Sequence, residues 1–383
     1  MAGLSRAGIF RFSYDADGIG HIVVNPNSDE GEGSIAFDPA TREFSGHNPV
    51  HRIYQGWGEP AGFAGYFVVK LPENLEVVDY GTFRGDTIVP GATNAAGAPG
   101  IGAYVSFKVS RSTPVTVTAA SSFTSEAGAR DNLAAEIPTP DFEAVRARSR
   151  ELWEQRLGLV DVEGGNPDDV AKFYGSLWRS SLLPRVVSDA DGSYSRFATG
   201  GEVMKMAPGH DYYDDYSMWD TYRALHPLLT LLTPQRSGDM MQSLVLKAEQ
   251  GGWMPIFPCW NSYTAAMIGD HCAATIADAA VKGIEGFDRE AAYKYLRRNA
   301  FESPATYEEY ADGMGRRALR SYLTYGYIPL EDSVPDAFHK REQTSRTLEY
   351  AFDDFALSQL AALLGHDDDA ALLRDRARNY RNV

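Results

Sequence analysis

Cysteine is nearly absent from this sequence: Cys259 and Cys272 are the only two in 383 residues. Two thiols make neither a disulfide framework nor a zinc site of the usual kind, and one bridge between them is allowed but not implied. No apolar run approaches the roughly 20 residues a helix needs to cross a bilayer, so no membrane insertion is expected. The N-terminus lacks the apolar core of a signal peptide, which fits either a cytoplasmic protein or a chain without its leader. No glycine-rich dinucleotide or phosphate loop occurs, and no internal repeat is visible. Positive charge is in deficit: 36 Lys and Arg face 52 Asp and Glu, a formal net charge of −16. That balance argues against nucleic acid or an anionic membrane as partner and suits an enzyme acting on neutral or basic material.

What is present is apolar and aromatic. Hydrophobic residues make up 44% of the chain, enough for a sizeable core, and the length allows two or three domains. Aromatics reach 12%, with 21 Tyr and 6 Trp. Sugar sites use aromatic faces against C–H-rich surfaces, but large cores use them too.

The first 120 residues read as strands. IFRFSY, HIVVN, YFVVKL, AYVSFKV and PVTVTAASSF are short β-rich runs, several of them alternating, and turn-rich segments such as NPNSDEGEG and PGATNAAGAPG separate them. Such spacing predicts an antiparallel sandwich. Residues 46–65, GHNPVHRIYQGWGEPAGFAG, lack periodicity and carry His47, His51, Trp57 and Glu59. They read as a long irregular loop, either simply exposed or reaching a neighbouring active site. From Pro140 the period changes to about 3.6. Helices are expected at 141–157, 168–183, 217–232, 235–250, 267–283, 288–301, 305–325, 345–364 and 368–380. The resulting division is a sandwich at 1–125, a linker with a bridging helix at 126–160, and a helical domain at 161–383. SDADGSY (188–194) resembles half of a calcium loop but lacks later ligands, so a turn is the better reading.

Several stretches carry candidate chemistry. SRTLEYAFDD (345–354) opens a helix that Thr344 or Ser345 can cap and Gly365 stops. Leu348, Phe352, Phe355, Leu360, Leu363 and Leu364 give it an apolar side, while Glu349 and Asp353 lie four apart on one face. An acidic first turn is common, so this pair alone decides nothing. In YSMWDTYRALHPLL (216–229), Ser217 can cap a helix carrying Trp219, Asp220 and Arg223; Asp220 and Arg223 either pair with each other or leave Asp220 to a ligand. His226-Pro227 reads as ending a helical turn. GGWMPIFPCWNSYTAAMIGDH places Trp253 and Trp260 in a loop where they can line a cleft, with Asp270 and His271 at the next helix start. In the loop before 345, Glu331, Asp332, His339, Lys340 and Arg341 are either solvated or near a pocket mouth.

These blocks, together with FYGSLWRSSLLPRVVSDADGSY (173–194) and MIGDH (267–271), stand in one order along nearly the whole chain. In that order they resemble glycoside hydrolase family 92, whose signature is TLEYAYDD. The resemblance implies an α+β, multidomain architecture: an N-terminal antiparallel β-sandwich followed by an α/α barrel of twelve helices. Nine helical stretches fall short of twelve, so an incomplete barrel missing its C-terminal part is expected. The resemblance further implies removal of terminal α-linked mannose from N-glycans or mannan by an inverting, calcium-assisted reaction, in an enzyme that is secreted or displayed at the cell surface. It makes Glu349 the general acid and favours Asp220 as a sugar ligand; with the local readings above, substrate binding is expected of Trp57, Trp219, Asp220, Arg223, Trp253, Asp270, His271, Asp353 and Asp354. An acid flanked by Leu348, Tyr350 and Phe352 would gain basicity by desolvation. Asp353 shares the acid's face and is a poor base, because an inverting base works from the other side of the sugar ring. The family's GNxD-type base segment does not occur here, so the base and most Ca2+ ligands are expected beyond Val383, and the chain alone is not expected to turn over. The competing readings are an inactive carbohydrate-binding fragment, or another α/α-barrel glycosidase, a phosphorylase or a lyase.

Overall fold

A computed structural model describes residues 1–26 and 31–383; residues 27–30, within the expected NPNSDEGEG turn, lie outside the described residues. The chain opens with eleven strands: β1 (Ala2–Gly3), β2 (Ala7–Phe12), β3 (Gly18–Val24), β4 (Ser34–Asp38), β5 (Glu43–His51), β6 (Pro60–Lys70), β7 (Val77–Arg84), β8 (Thr87–Pro90), β9 (Asn94–Ala96), β10 (Ile101–Val109) and β11 (Val115–Ser122). They form two antiparallel sheets, β1-β2-β11-β6-β5-β4-β9 and β3-β10-β7-β8. Alternation decides the packing. Ile35, Phe37 and Phe44 point from the larger sheet into one core with Ala103, Val105 and Phe107 of the smaller. Phe37 sits 4.7 Å from Phe44 on its own sheet and 5.5 Å from Tyr80 on the other, ring centre to ring centre. The irregular loop read over 46–65 is mostly strand: β5 continues to His51 and β6 begins at Pro60, leaving 52–59 as the connection. His and Pro within β5 hide its alternation from the sequence.

Three helices follow: α1 (Glu126–Glu136), α2 (Phe142–Leu157) and α3 (Pro167–Arg179), capped by the side chains of Ser125, Asp141 and Asn166. The stretch read as linker therefore holds two helices. Ala129 and Leu133 of α1 pack with Ala7, Ile9, Val68 and Ala120 on the outer face of the larger sheet. The junction into α1 is short and tightly bonded. The Asp189 carboxylate accepts hydrogen bonds from Ser122 Oγ at 2.8 Å, Thr124 Oγ1 at 2.5 Å and Asn132 Nδ2 at 2.8 Å. SDADGSY is thus a turn whose aspartate ties the sheets to the helices. It lies beside two small antiparallel ladders, β12 (Arg185–Val186) with β15 (Tyr213–Asp214), and β13 (Ser193–Ser195) with β14 (Val203–Lys205). Nearby, Gly62 and Gly200 both hold positive φ, and a Cβ on Gly200 would stand 2.1 Å from the Gly62 carbonyl oxygen. Only glycine lets these two backbones meet.

The rest is helical: α4 (Met218–Thr221), α5 (Leu225–Leu232), α6 (Pro234–Gly251), α7 (Cys272–Val281), α8 (Arg289–Phe301), α9 (Tyr307–Ala311), α10 (Leu319–Tyr325), α11 (Gln343–Leu363) and α12 (Asp367–Arg376), ending in a 3-10 turn at Ala377–Asn382. Leu244 and Val245 of α6, Ile276 and Ala277 of α7, Leu296 of α8, Leu357 and Leu360 of α11 and Leu373 of α12 share one core. Two single helices expected from periodicity are each two. The 217–232 pattern breaks between α4 and α5. The 305–325 pattern breaks where Gly313, Gly315 and Ala318 take positive φ. The helix expected from 267 starts at Cys272, after Met267 and Gly269, also at positive φ.

The shared aromatic core of the sheets gives a direct test. Phe44→Ala, at a position with no solvent exposure, is expected to cost about 3–5 kcal/mol, read as a lower urea midpoint at unchanged slope.

Candidate active site

α11 is anchored by buried charge as well as by apolar packing. Its expected apolar side is half-exposed: Leu348, Phe352, Phe355 and Leu363 are 43–48% accessible, and only Leu360 of that set is fully buried. The buried face instead carries Arg346, Thr347, Tyr350, Asp353 and Asp354. Neither Thr344 nor Ser345 caps the helix; it starts at Gln343, and no side-chain cap bond forms at Glu342. Gly365, at φ 81°, follows its end as expected.

The buried carboxylates are all engaged. Asp354 accepts from Arg316 Nη1 at 2.7 Å, from Arg376 Nε at 2.9 Å and from Tyr322 Oη at 3.1 Å. Asp270 accepts from Arg316 Nε at 2.9 Å and from Asn299 Nδ2 at 3.2 Å. Asp353 accepts from the Asp270 backbone N–H at 2.6 Å and from His271 Nδ1 at 2.9 Å. Burial pushes the Asp270 carboxyl up, Arg316 pulls it down and Asp353 pushes it up again, leaving it raised. Burial also disfavours the His271 charge, but Asp353, Glu349 and Asp270 outweigh it and hold the imidazole above its ordinary value.

Glu349 differs. Its side chain is 21% accessible, whereas Asp353, Asp354 and Asp270 have none. Its Oε2 lies 3.3 Å from Tyr222 Oη and 3.6 Å from His271 Nε2, and its Oε1 lies 3.6 Å from Arg223 Nη2. Tyr222 stacks on His271 with ring centres 3.9 Å apart, and Arg223 lies over both Trp219 and Tyr222. Burial and then the Glu349 charge push the Tyr222 hydroxyl up to about 12, so it stays a donor. Arg223 therefore serves Glu349 and not Asp220, the pairing that spacing allowed. Asp220 is exposed and accepts from Ser217 Oγ at 2.8 Å. Ser217 caps no helix; its φ of 46° is one of several positive values, with Asp215, Trp260, Asn261, Ala265 and Met267, in the two loops that precede α4 and α7. Strain of this kind gathers at functional sites.

Other expected site residues lie elsewhere. Trp253 does not line a cleft: it is 1% exposed and packs with Phe197 and Tyr263, because the loop that holds it is itself core. Trp260 is 38% exposed beside Arg185. Trp57 is 74% exposed at the tip of 52–59, a loop that does reach the helical part. There Arg52 pairs with Asp312 and donates to the Tyr263 carbonyl, and Tyr54 packs on Phe257 and Phe338. His47 bonds Ser34 within the sheet and His51 pairs with Glu32. Of the pre-345 loop, Glu331, Lys340 and Arg341 are exposed, Asp332 accepts from Ser321, and His339 lies against Met267. His226 is buried and held near 4 by desolvation. Cys259 and Cys272 are both free and buried.

Residues 1–122 match the glycosyl hydrolase family 92 N-terminal domain, and residues 128–383 match the glycosyl hydrolase family 92 catalytic domain. The chain belongs to glycoside hydrolase family 92. This family 92 chain is 32% identical to a family GH92 inverting mannosidase of Bacteroides thetaiotaomicron, with a TM-score of 0.85 over 98% of this chain and 48% of that one. A second α-mannosidase of that organism, solved with mannoimidazole, is 29% identical at a TM-score of 0.84, over 98% of this chain and 47% of that one. An uncharacterized secreted glycosidase of Arthroderma benhamiae is 27% identical over 293 residues, 74% of this chain and 32% of that protein. The family 92 chain thus spans about half the length of the solved relatives and a third of the curated one.

Two further observations bear on the site. Among the described residues no group of three or more His, Cys, Asp or Glu is arranged to hold a metal ion, and no helix is long and apolar enough to cross a membrane. The carboxylates around Glu349 are already taken by arginine, imidazole and amide donors, so these residues do not fit a cation. A cavity of about 1160 Å³ lies between the sheet ends and α1, lined by Leu71, Leu75, Val115, Leu133 and Ile137, and none of the expected site residues borders it. Sequence reasoning missed Tyr222, Arg316, Arg376 and Asn299. Tyr222 stood inside a quoted block; the three others lie outside every block singled out for its chemistry.

Arg316 supplies the site's clearest stability test. Arg316→Met leaves Asp270 and Asp354 buried without their main cation and is expected to cost about 3–5 kcal/mol near neutral pH. The loss should shrink as pH falls, because an acid whose folded pKa is raised is stabilised in its protonated form. Urea unfolding at pH 4.5 and 7.5 checks both the size and the sign.

Proposed function

We propose that this chain is the sheet domain and much of the catalytic domain of an exo-acting α-mannosidase that inverts configuration, with Glu349 as general acid. One observation carries the assignment: of the four carboxylates joined through Arg316 and His271, Glu349 alone reaches solvent, while Asp270, Asp353 and Asp354 are sealed and committed to Arg316, Arg376, His271 or backbone N–H. A general acid must touch the leaving oxygen, and of these four only Glu349 is open to it. The named inverting mannosidase and the mannoimidazole complex among the relatives support an α-mannoside as substrate. The helices of the second half are read as part of an α/α barrel, and the two stacked sheets as the family's sandwich.

In this reading the sugar sits over Glu349, with Trp219, Asp220 and Arg223 on α4 and just after it as its neighbours. Glu349 protonates the glycosidic oxygen as the bond breaks. Water attacks from the opposite face, activated by a second carboxylate about 6.5–9.5 Å from the first. No described residue is assigned as that base. Calcium belongs to the proposal as a requirement of the full-length enzyme, with no step routed through it here.

Glu349→Gln in the full-length protein should leave folding intact and cost on the order of 10²–10⁴-fold in rate on a natural mannoside. An activated aryl mannoside, whose leaving group needs little protonation, should lose far less. Equal losses on both substrates would remove Glu349 from the acid's role. Exhaustive chelation of the full-length enzyme should abolish mannose release, and added Ca2+ should restore it; undiminished activity in chelator would remove calcium from the reading.

A further inference from the structure

The His271 side chain is 2% accessible, and its Nε2 has no hydrogen-bond partner among the described residues. The ring is nevertheless held on every side. Asp353 fixes Nδ1, Tyr222 stacks on one face, and Gly269, at φ 91°, comes so close that a Cβ there would lie 2.4 Å from the ring. Asp353 is an acceptor at both oxygens, one from the Asp270 N–H and one from His271. Nδ1 must then carry the hydrogen; the neighbouring carboxylates favour a second proton on the ring, but once Glu349 itself holds that proton its charge is gone, the ring is neutral and Nε2 carries a lone pair. That lone pair lies 3.6 Å from Glu349 Oε2.

We propose that Asp353 and His271 are positioning residues for the acid: Asp353 sets the His271 tautomer, and His271 Nε2 accepts the hydrogen of the protonated Glu349 carboxyl until that hydrogen is delivered. The proposal rests on Glu349 being the general acid. The charged and titratable groups facing the pair are few. Arg223 and Tyr222 face Glu349, while Asp353, Asp270 and Glu349 face His271, and Asp270 is itself bonded by Arg316. Arg223 can only donate. Tyr222 accepts from Arg223 Nη1 at 2.8 Å and turns its own hydrogen toward Oε2. Among these groups His271 supplies the acceptor that a protonated carboxyl needs. In the reaction the C–O bond breaks with its electron pair moving to the leaving oxygen. That oxygen takes the Glu349 hydrogen and departs as a hydroxyl. The attacking water gives its hydroxyl to the anomeric carbon and its proton to the second carboxylate of the inverting mechanism. The Asp353–His271 bond stays as it was, and solvent reprotonates Glu349.

The test uses pH profiles of the full-length enzyme on a mannoside with a poor leaving group. Asp353→Asn removes a negative charge beside the shared proton and offers Nδ1 a donor in place of an acceptor, so Nε2 becomes the N–H. Both changes weaken the hold on the Glu349 proton. The basic limb of kcat/KM should move to lower pH by on the order of one unit, and His271→Gln should move it the same way. A rate that falls equally at every pH, with the limb unmoved, would make the pair merely structural and overturn the proposal. Nitrogen-15 NMR of the unliganded wild type reads the tautomer without any turnover. At the pH of turnover His271 should carry its hydrogen on Nδ1 alone, and Glu349→Gln should shift the Nε2 resonance while leaving Nδ1 protonated; a neutral ring with hydrogen on Nε2, or a ring protonated on both nitrogens, refutes the proposal even if neither variant folds. Failure of the underlying reading looks different, because Glu349→Gln would then show no leaving-group dependence whatever the NMR finds.

Discussion

The Arg316 guanidinium, with no solvent exposure, bridges two equally buried carboxylates, and much of the helical half depends on that bridge. Burying three charges costs several kcal/mol each unless every donor and acceptor finds geometry close to ideal. Here one cation joins Asp270 just before α7 to Asp354 on α11, and Arg376 at the end of α12 closes on the same Asp354. Three helices therefore take their relative positions from fixed ionic directions, with the apolar core filling what remains. Such a bridge is weak evidence for stability and better evidence for specificity of arrangement. It holds the face of α11 bearing Asp353 inward, which leaves Glu349, four residues earlier, at the rim.

That arrangement joins fold to chemistry. A carboxylic acid that must give up a proton needs one side open to substrate and a surrounding shell that does not move. Tyr222 and Arg223 come from the segment after α4, His271 from the residue before α7, and Glu349 from α11. Each is delivered by a backbone that other contacts already constrain: positive-φ residues before α4 and α7, and the buried charges under α11. The comparison with mannosidases of known structure places the whole chain on one family architecture; the local geometry leaves Glu349 partly open to solvent and seals Asp270, Asp353 and Asp354.

Much of this was legible in the sequence, and what was not has physical reasons. The alternation of IFRFSY and AYVSFKV announced the sheets, and Gly365 marked the end of α11. β5 was lost because His47, Pro49 and His51 interrupt its alternation, although the backbone ladder to β6 runs on, with one bulge. The helices at 217–232 and 305–325 were drawn unbroken because periodicity survives a local change of φ that only coordinates reveal. The orientation of α11 was misjudged because leucine and phenylalanine at helical spacing normally face a core, whereas here buried arginines reverse the preference. Trp253 was placed at a cleft for the opposite reason: a loop rich in Gly and Pro suggested exposure, but this one runs through the interior. The family blocks pointed to Glu349; its hydrogen-bonding company, Tyr222 and the Asp353–His271 pair, needed a third dimension.

The three residues between β11 and α1 have a mechanical consequence. Phe123 packs edge-on against Phe63, Thr124 binds Asp189, and Ser125 caps the helix, so the passage from sheet to helix contains no slack. Asp189 then fastens the same joint to the chain leading into the helical half, and the abutting backbones at Gly62 and Gly200 brace it. The sheets and helices thus lack a swivel. A rotation of the sheets against the helices would have to break the Asp189 bonds and part the two glycine backbones.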